Sequence, residues 1–149
     1  MATRLAMIES TNPTLVAAGI GSLAAAILHL ACIVGGPRWY VVLGAGRKMA
    51  RMAEQGRWYP TMATLAIAAI LVVWALYAWS AAGLVQRLPL LRPGLCAITA
   101  VYLLRAIAFL PLQAVFPGNS ALFWFVSSAV CLVLGLLHAV GLHRMWSRL

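Results

Sequence analysis

Four long apolar runs, separated by polar, glycine- or proline-containing stretches, dominate the pattern of this sequence. They cover roughly residues 14–35, 60–84, 94–116 and 120–143. A helix needs about 20 apolar residues to cross a hydrocarbon core of about 30 Å, and each run is long enough. The runs are continuous, whereas a membrane barrel needs short segments of alternating polarity. The pattern therefore predicts an all-α membrane protein.

Short connectors predict how these helices are arranged. The second and third runs are joined by residues 86–93, which are basic and carry Pro89 and Pro93, and a tight turn near Gly118 joins the third to the fourth. Short connectors between long helices favour antiparallel neighbours. We therefore expect one transmembrane domain over residues 1–149, an up-down bundle of four transmembrane helices.

The longest connector, residues 36–59, has a pattern of its own. Its middle, residues 45–55, is amphipathic: Lys48, Arg51 and Gln55 fall on one side of a helix, and Ala45, Met49, Met52 and Ala53 on the other. Arginine–aromatic clusters flank it at residues 38–40 and 57–59, as is typical of membrane interfaces. The pattern favours a short amphipathic interfacial segment after the first helix. A plain solvated connector is the alternative.

Composition agrees with a membrane protein. Of the 149 residues, 64% are hydrophobic and 9% are charged, whereas soluble domains carry about 25% charged residues. The formal net charge is +9, from 11 basic and 2 acidic residues. Because the basic residues cluster at the ends of apolar runs, we expect membrane lipids rather than nucleic acid as partners, with anionic headgroups at Arg47, Lys48 and Arg51.

The basic residues leave the orientation open. Arg4, Arg87, Arg92, Arg144 and Arg148 fall on the side of the termini, and Arg38, Arg47, Lys48, Arg51 and Arg57 fall on the other. Positive residues normally mark the cytoplasmic side, and here the two sides tie. Either another feature fixes one orientation, or the chain inserts both ways and forms antiparallel dimers.

Arg105 is the residue most in need of explanation. It is the one charge of the third run and lies about 16 Å from either end of it, near the bilayer midplane, at about 1.5 Å per residue. The acids are Glu9 and Glu54, both outside the apolar runs. The guanidinium must therefore find carbonyls, hydroxyls, ring faces, water, an anionic ligand or another subunit.

Several side chains are predicted to share the depth of Arg105. Tyr102 and Gln113 fall on its helix face, and we expect Pro111 to kink that helix above it. In an antiparallel bundle, Trp74 and Tyr77 of the second run reach a similar depth. The predicted ligand-binding residues are Arg105, Tyr102, Trp74, Tyr77, Gln113, His29 and Ser128.

Other chemistry has little support in the sequence. The three cysteines lie in separate runs without metal or redox spacing. His29 and His138 are expected to lie toward opposite surfaces, too far apart for one haem. The serines at positions 127 and 128 have no adjacent base, which argues against hydrolysis. We expect no enzyme activity, no metal and no cofactor.

Three strings carry a resemblance: residues 44–50 (GAGRKMA), 88–92 (LPLLR) and 102–105 (YLLR). With them the chain resembles an uncharacterised family of small four-helix proteobacterial inner-membrane proteins. The resemblance implies location in the bacterial inner membrane but no activity. Small multidrug exporters use an intramembrane glutamate, which is missing here. Fluoride channels have a glycine-rich break where this chain reads YLLR.

Two functional hypotheses follow from the central cation. The first is binding, or translocation, of a small anionic or lipid-like ligand at Arg105. The alternative is a structural or accessory membrane subunit with no ligand, in which Arg105 fixes helix packing or a subunit contact in a homo-oligomer. The small-sided first helix, with Ala18, Ser22 and Ala26 at four-residue spacing, favours close helix contacts.

Overall fold

The computed structural model describes residues 11–115 and 118–149. Seven helices occur in this part of the chain. They are α1 (Pro13–Gly35), α2 (Pro37–Val42), α3 (Gly46–Glu54), α4 (Trp58–Ala81), α5 (Leu91–Ile107), α6 (Phe109–Val115) and α7 (Ala121–Met145).

The prediction of a helical, multi-pass membrane protein is confirmed. Helices α1, α4 and α7 are long and apolar enough to cross a membrane, and α5 and α6 together make a fourth candidate if the bent pair is one span. Large apolar side chains such as Ile27, Val73 and Val133 lie on the outside. Such exposure suits a lipid environment, since a monomer in water rarely shows large continuous apolar patches.

Polar residues cap two of the long helices. The side-chain oxygen of Asn12 accepts hydrogen bonds from the backbone N–H groups of Thr14 (3.0 Å) and Leu15 (3.3 Å), and Pro13 occupies the first turn. Ser120 accepts the N–H of Phe123 (3.1 Å) at the start of α7. Because the first N–H groups of a helix have no internal acceptor, these caps set where the helices begin.

Contacts at the helix ends show the relative directions. Near the start of α1, the carbonyl of Val16 accepts a hydrogen bond from Trp79, close to the end of α4 (3.3 Å). The side chain of Asn12 donates to the carbonyl of Gly141 near the end of α7 (3.2 Å). Helix α1 therefore runs antiparallel to both α4 and α7, and it packs against both of them.

The small residues of α1 allow the close approach that the sequence predicts. Ala18, Ser22 and Ala26 are all buried, and α1 packs most extensively against α4. Gly19 lies under the ring of Trp79, where a Cβ would come within 2.6 Å of a ring carbon. Only hydrogen fits there, so this indole can cover the α1 backbone and donate to it.

The third apolar run is broken. Helices α5 and α6 meet at Ala108 with a bend of 72°, where a kinked but continuous helix was expected. Pro111 explains the position, because it has no N–H for the carbonyl of Ile107 four residues earlier and its ring would clash there. As the third residue of α6, it sits where an N–H would lack an internal acceptor anyway.

The segment after α1 folds into two short helices. Tyr40 of α2 and Ala50 of α3 form a small buried cluster with Cys32. Arg47, Lys48 and Arg51 of α3 stay exposed. The amphipathic helix after the first span is therefore present, and its position along a membrane surface stays a prediction.

Candidate functional site

The break between α5 and α6 changes where Arg105 lies. It occupies the last turn of α5, where the helix dipole favours a cation. Its Nη2 donates to Oγ of Ser127 (3.1 Å). Ser127 is six residues into α7, or about 9 Å at about 1.5 Å per residue. Relative to α7, Arg105 therefore lies toward one end rather than at the middle.

An aromatic ring completes the observed contacts of Arg105. Its Cζ lies 5.3 Å from the ring centroid of Trp124, one helical turn from Ser127. A guanidinium within about 6 Å of an indole centroid is attracted by the negative ring face. Together the hydroxyl and the ring hold the end of α5 against α7.

Two polar atoms at this place are buried without a hydrogen-bond partner within residues 11–115 and 118–149. They are Nη1 of Arg105 and Oγ of Ser128. Buried polar groups are nearly always paired, and an unpaired one costs about 1–3 kcal/mol, more if charged. At this end of α5, a further polar group would therefore be most favourable beside these two atoms.

A partly enclosed groove of about 240 Å³, lined by Ser128 and by the Trp124 ring that Arg105 stacks on, lies between the end of α5, α6 and α7. We call it the break groove. Its walls are Ala106, Ile107, Phe109, Gln113, Trp124, Phe125, Ser128, Ala129 and Leu132. Gln113 and Ser128, both predicted site residues, thus line one groove, and Trp124 joins that groove to the guanidinium of Arg105.

Tyr102 and Trp74 belong to a different cluster. The hydroxyl of Tyr102 lies 2.9 Å from Oγ of Ser22 on α1. Its ring packs edge-on against Trp74 (centroids 4.9 Å apart) and at a tilt against His138 (5.3 Å). The four residues form a polar cluster inside the helices, which we call the core cluster.

The structure buries His138 fully in the core cluster. Its Nδ1 lies 2.9 Å from the carbonyl of Leu134, and its Nε2 has no partner in the described chain. Helical side chains lean toward the N-terminus of their helix. The ring of Tyr102 therefore leans toward the start of α5, where α7 ends and His138 lies.

Tyr77 and His29 lie apart from Arg105. The hydroxyl of Tyr77 donates to the carbonyl of Pro89 (3.1 Å), and its ring faces Gly94 at the start of α5. Gly94 precedes Arg105 by eleven residues, about 16 Å of helix. His29 bonds the carbonyl of Ala25 on its own helix (2.8 Å). The structure thus separates the seven predicted residues into three sets. Gln113 and Ser128 line the break groove, which Trp124 links to Arg105. Tyr102 and Trp74 belong to the core cluster, and Tyr77 and His29 each lie apart.

Sequence reasoning missed Ser127 and Trp124 as the contacts of Arg105. Their signal was their spacing of three residues on one helix. This spacing identifies the two residues as contacts of Arg105 only once the register of α5 against α7 is known. The break in the third run changes that register, because it moves Arg105 toward one end of α7.

A second arginine on the opposite side makes a similar contact in a different setting. Arg92 lies over the ring of Trp146 (Cζ to centroid 4.7 Å) and donates to the Trp146 carbonyl (2.8 Å). Arg92 is exposed. Arg92 is therefore a matched control for Arg105, since both arginines stack on a tryptophan but only Arg105 is partly buried.

No three His, Cys, Asp or Glu side chains of residues 11–115 and 118–149 come close enough together to share a metal ion. Comparisons of the chain with protein-family models, with curated proteins and with solved structures find no match.

Proposed function

We propose that this protein binds or translocates a small anionic or lipid-like ligand at Arg105. The observation that carries the proposal is the buried, unpaired Nη1 of Arg105, whose guanidinium stacks on Trp124, a wall of the break groove. A guanidinium keeps its charge and presents several donors in a fixed plane, which suits oxyanions. An oxyanion at this place would supply the acceptor that Nη1 lacks.

Nearby groups support this proposal. Nη2 is already oriented by Ser127, and the guanidinium lies over the Trp124 ring. Ser128 brings a hydroxyl without a partner, and Gln113 brings an amide to the same groove. A site with its cation held in place loses little conformational entropy on binding, which favours affinity.

The proposal includes the membrane arrangement. We propose that α5 and α6 form the third of four spans in an up-down bundle in the bacterial inner membrane. The antiparallel contacts of α1 with α4 and α7 support it. Exposed Arg47, Lys48 and Arg51 would then meet anionic headgroups, with the exposed ring of Trp58 as an interfacial anchor.

A structural role is the second candidate, and one observation favours it. Arg105 already has Ser127 and Trp124 as partners, so its function would be to hold α5 on α7 in an accessory subunit or a homo-oligomer. Removing Arg105 would then weaken folding or assembly without affecting any ligand.

Arg105→Met tests the first candidate against the second. Detergent-solubilised protein is titrated with phosphatidylglycerol and with phosphatidylcholine, and bound lipid is counted by native mass spectrometry. We expect the tightest phosphatidylglycerol binding to fall at least about tenfold, a loss of about 1.4 kcal/mol. Arg105→Lys should retain part of it, and Arg92→Met should bind like the unmodified protein.

The two candidates give opposite results. Unchanged phosphatidylglycerol binding in Arg105→Met refutes the ligand site. If binding is unchanged while the unfolding temperature falls or oligomers dissociate, the structural role is supported instead. Phosphatidylcholine binding should be the same in all variants, which controls for general loss of lipid contact.

A further inference from the structure

The break groove and Arg105 together suit a ligand with two parts, a charged head and an apolar chain. We infer that the site takes an anionic amphiphile, with an oxyanion head at Arg105 and Ser128 and an alkyl chain along the break groove. This inference rests on the proposed function and adds the chemical class of the ligand.

The walls of the groove select an alkyl chain. Seven of its nine lining residues are apolar, and Gln113 and Ser128 are the polar ones. At about 30 Å³ per water, 240 Å³ would hold about eight water molecules. Each water needs about two to four hydrogen-bond partners, and with only two polar side chains in the lining, water against the seven apolar walls would lack protein partners. A hydrocarbon chain brings no polar group of its own that the seven apolar walls would leave unpaired.

Trp124 places the two halves side by side. Its ring lies under the guanidinium of Arg105 and is also a wall of the groove. Ser128 is one turn further along α7, with its Oγ buried and unpaired. A head held by Nη1 and Oγ would therefore lie next to the apolar lining, because Ser128 and Trp124 are both walls of the groove. This juxtaposition is that of an amphiphile rather than a free inorganic anion.

The broken span explains why the groove is not filled by the chain itself. A continuous helix would carry residues 109–115 straight along α7. Pro111 instead turns α6 away by 72°, and no residue of α6 is buried. Phe109 and Gln113 then form one wall of an opening next to the lipid-facing surface. A ligand could enter sideways from the bilayer.

Two phosphates of different chain length test the inference. Ethyl phosphate and octyl phosphate are titrated against the full chain in detergent, with binding followed by calorimetry. We expect octyl phosphate to bind at least about tenfold tighter, because its additional CH₂ groups would be buried against the apolar walls of the groove. Arg105→Met should weaken both phosphates by a similar factor.

A groove-filling variant separates the chain from the head. Ala129 lines the groove and is exposed, so Ala129→Phe should abolish most of the octyl advantage while ethyl phosphate binds as before. Ala97→Phe, at an exposed position of α5 outside the groove, should change neither. Cooperative thermal unfolding of both variants confirms that they are folded.

The outcomes distinguish this inference from the proposed function. Equal affinity of the unmodified protein for both phosphates overturns the amphiphile, and so does an Ala129→Phe variant that weakens both alike. In either case a loss in Arg105→Met would leave the anion site standing. If Arg105→Met binds both phosphates normally, the proposed function and this inference fail together. Should Ala129→Phe not fold, the chain-length comparison in the unmodified protein decides.

Discussion

The hydroxyl of Tyr102 on α5 lies 2.9 Å from Oγ of Ser22 on α1, inside the packed helices. Ser22 is fully buried and Tyr102 nearly so. The pair joins α1 to α5 through two residues that are eighty apart in the chain. The Tyr102 ring packs against both Trp74 and His138. The hydrogen bond and the ring contacts of the Tyr102 side chain therefore lie within the core cluster, although Tyr102 is only one helical turn from Arg105 in α5.

This contact predicts an interaction energy between the two positions. Ser22→Ala and Tyr102→Phe should each destabilise the protein, because each leaves a buried hydroxyl unpaired. Interhelical hydrogen bonds in membrane proteins average about 0.6 kcal/mol, with a maximum near about 1.7. We expect the double variant to lose less than the sum by an amount in that range, measured by denaturation in mixed micelles.

Thr99 provides the control for that cycle. It is buried on the same helix, but its hydroxyl donates to Leu95 of α5 itself (2.7 Å). Thr99→Val combined with Ser22→Ala should be additive. Strict additivity of Ser22→Ala with Tyr102→Phe would show that the bond does not contribute.

Pro111 is predicted to cause the break in the third run. Pro111→Ala restores an N–H that can reach the Ile107 carbonyl, so the bend between α5 and α6 should decrease. The distance between spin labels at the exposed positions 97 and 114, measured by pulsed electron resonance in a background without the three native cysteines, should lengthen. A distance that stays the same would assign the bend to tertiary packing instead.

Gly135 is predicted to set the spacing of α5 and α7. A Cβ there would lie 2.7 Å from Cδ2 of Leu103 and 3.3 Å from its backbone nitrogen. Gly135→Ala should therefore destabilise the protein by about 1–3 kcal/mol, as overpacking does. Thermal unfolding measures the loss.

Leu103→Ala in the same chain checks the origin of that loss. It removes the side-chain part of the clash and should recover much of the stability of Gly135→Ala. If Gly135→Ala is as stable as the unmodified protein, the two helices have room to separate and the close packing is not required.

The exposed charges of α3 are predicted to enrich anionic lipid. Changing Arg47, Lys48 and Arg51 together to glutamine removes about 1 kcal/mol of attraction per charge near an anionic surface. In nanodiscs of mixed phosphatidylglycerol and phosphatidylcholine, the bound anionic fraction should fall. Arg87 and Arg148 changed to glutamine control for charge at the opposite end, and an equal fall there would contradict a specific role for α3.

Sequence alone determined that the chain is a multi-pass helical membrane protein, that an amphipathic helix follows the first span, and that Arg105 has no acid within the apolar runs. Apolar run length decides the first because backbone groups in lipid must be paired within the chain, which long helices achieve. The amphipathic helix follows from the separation of polar and apolar residues onto opposite sides of a helix. The third is a matter of counting acids.

Only the tertiary structure decided the contacts of these residues. The long helices are apolar on nearly every side, with Val73 and Val133 facing outward as readily as Leu71 and Leu134 face inward. Hydrophobic pattern therefore gives neither the rotation of a helix nor its register against its neighbours. From Pro111 the sequence predicted a kink, but it did not predict that α5 would end at Ile107. That break, together with the close approach at Gly135, determines which residues of α7 contact Arg105. It also explains why Tyr102 forms its hydrogen bond with Ser22 rather than lining a site with Arg105.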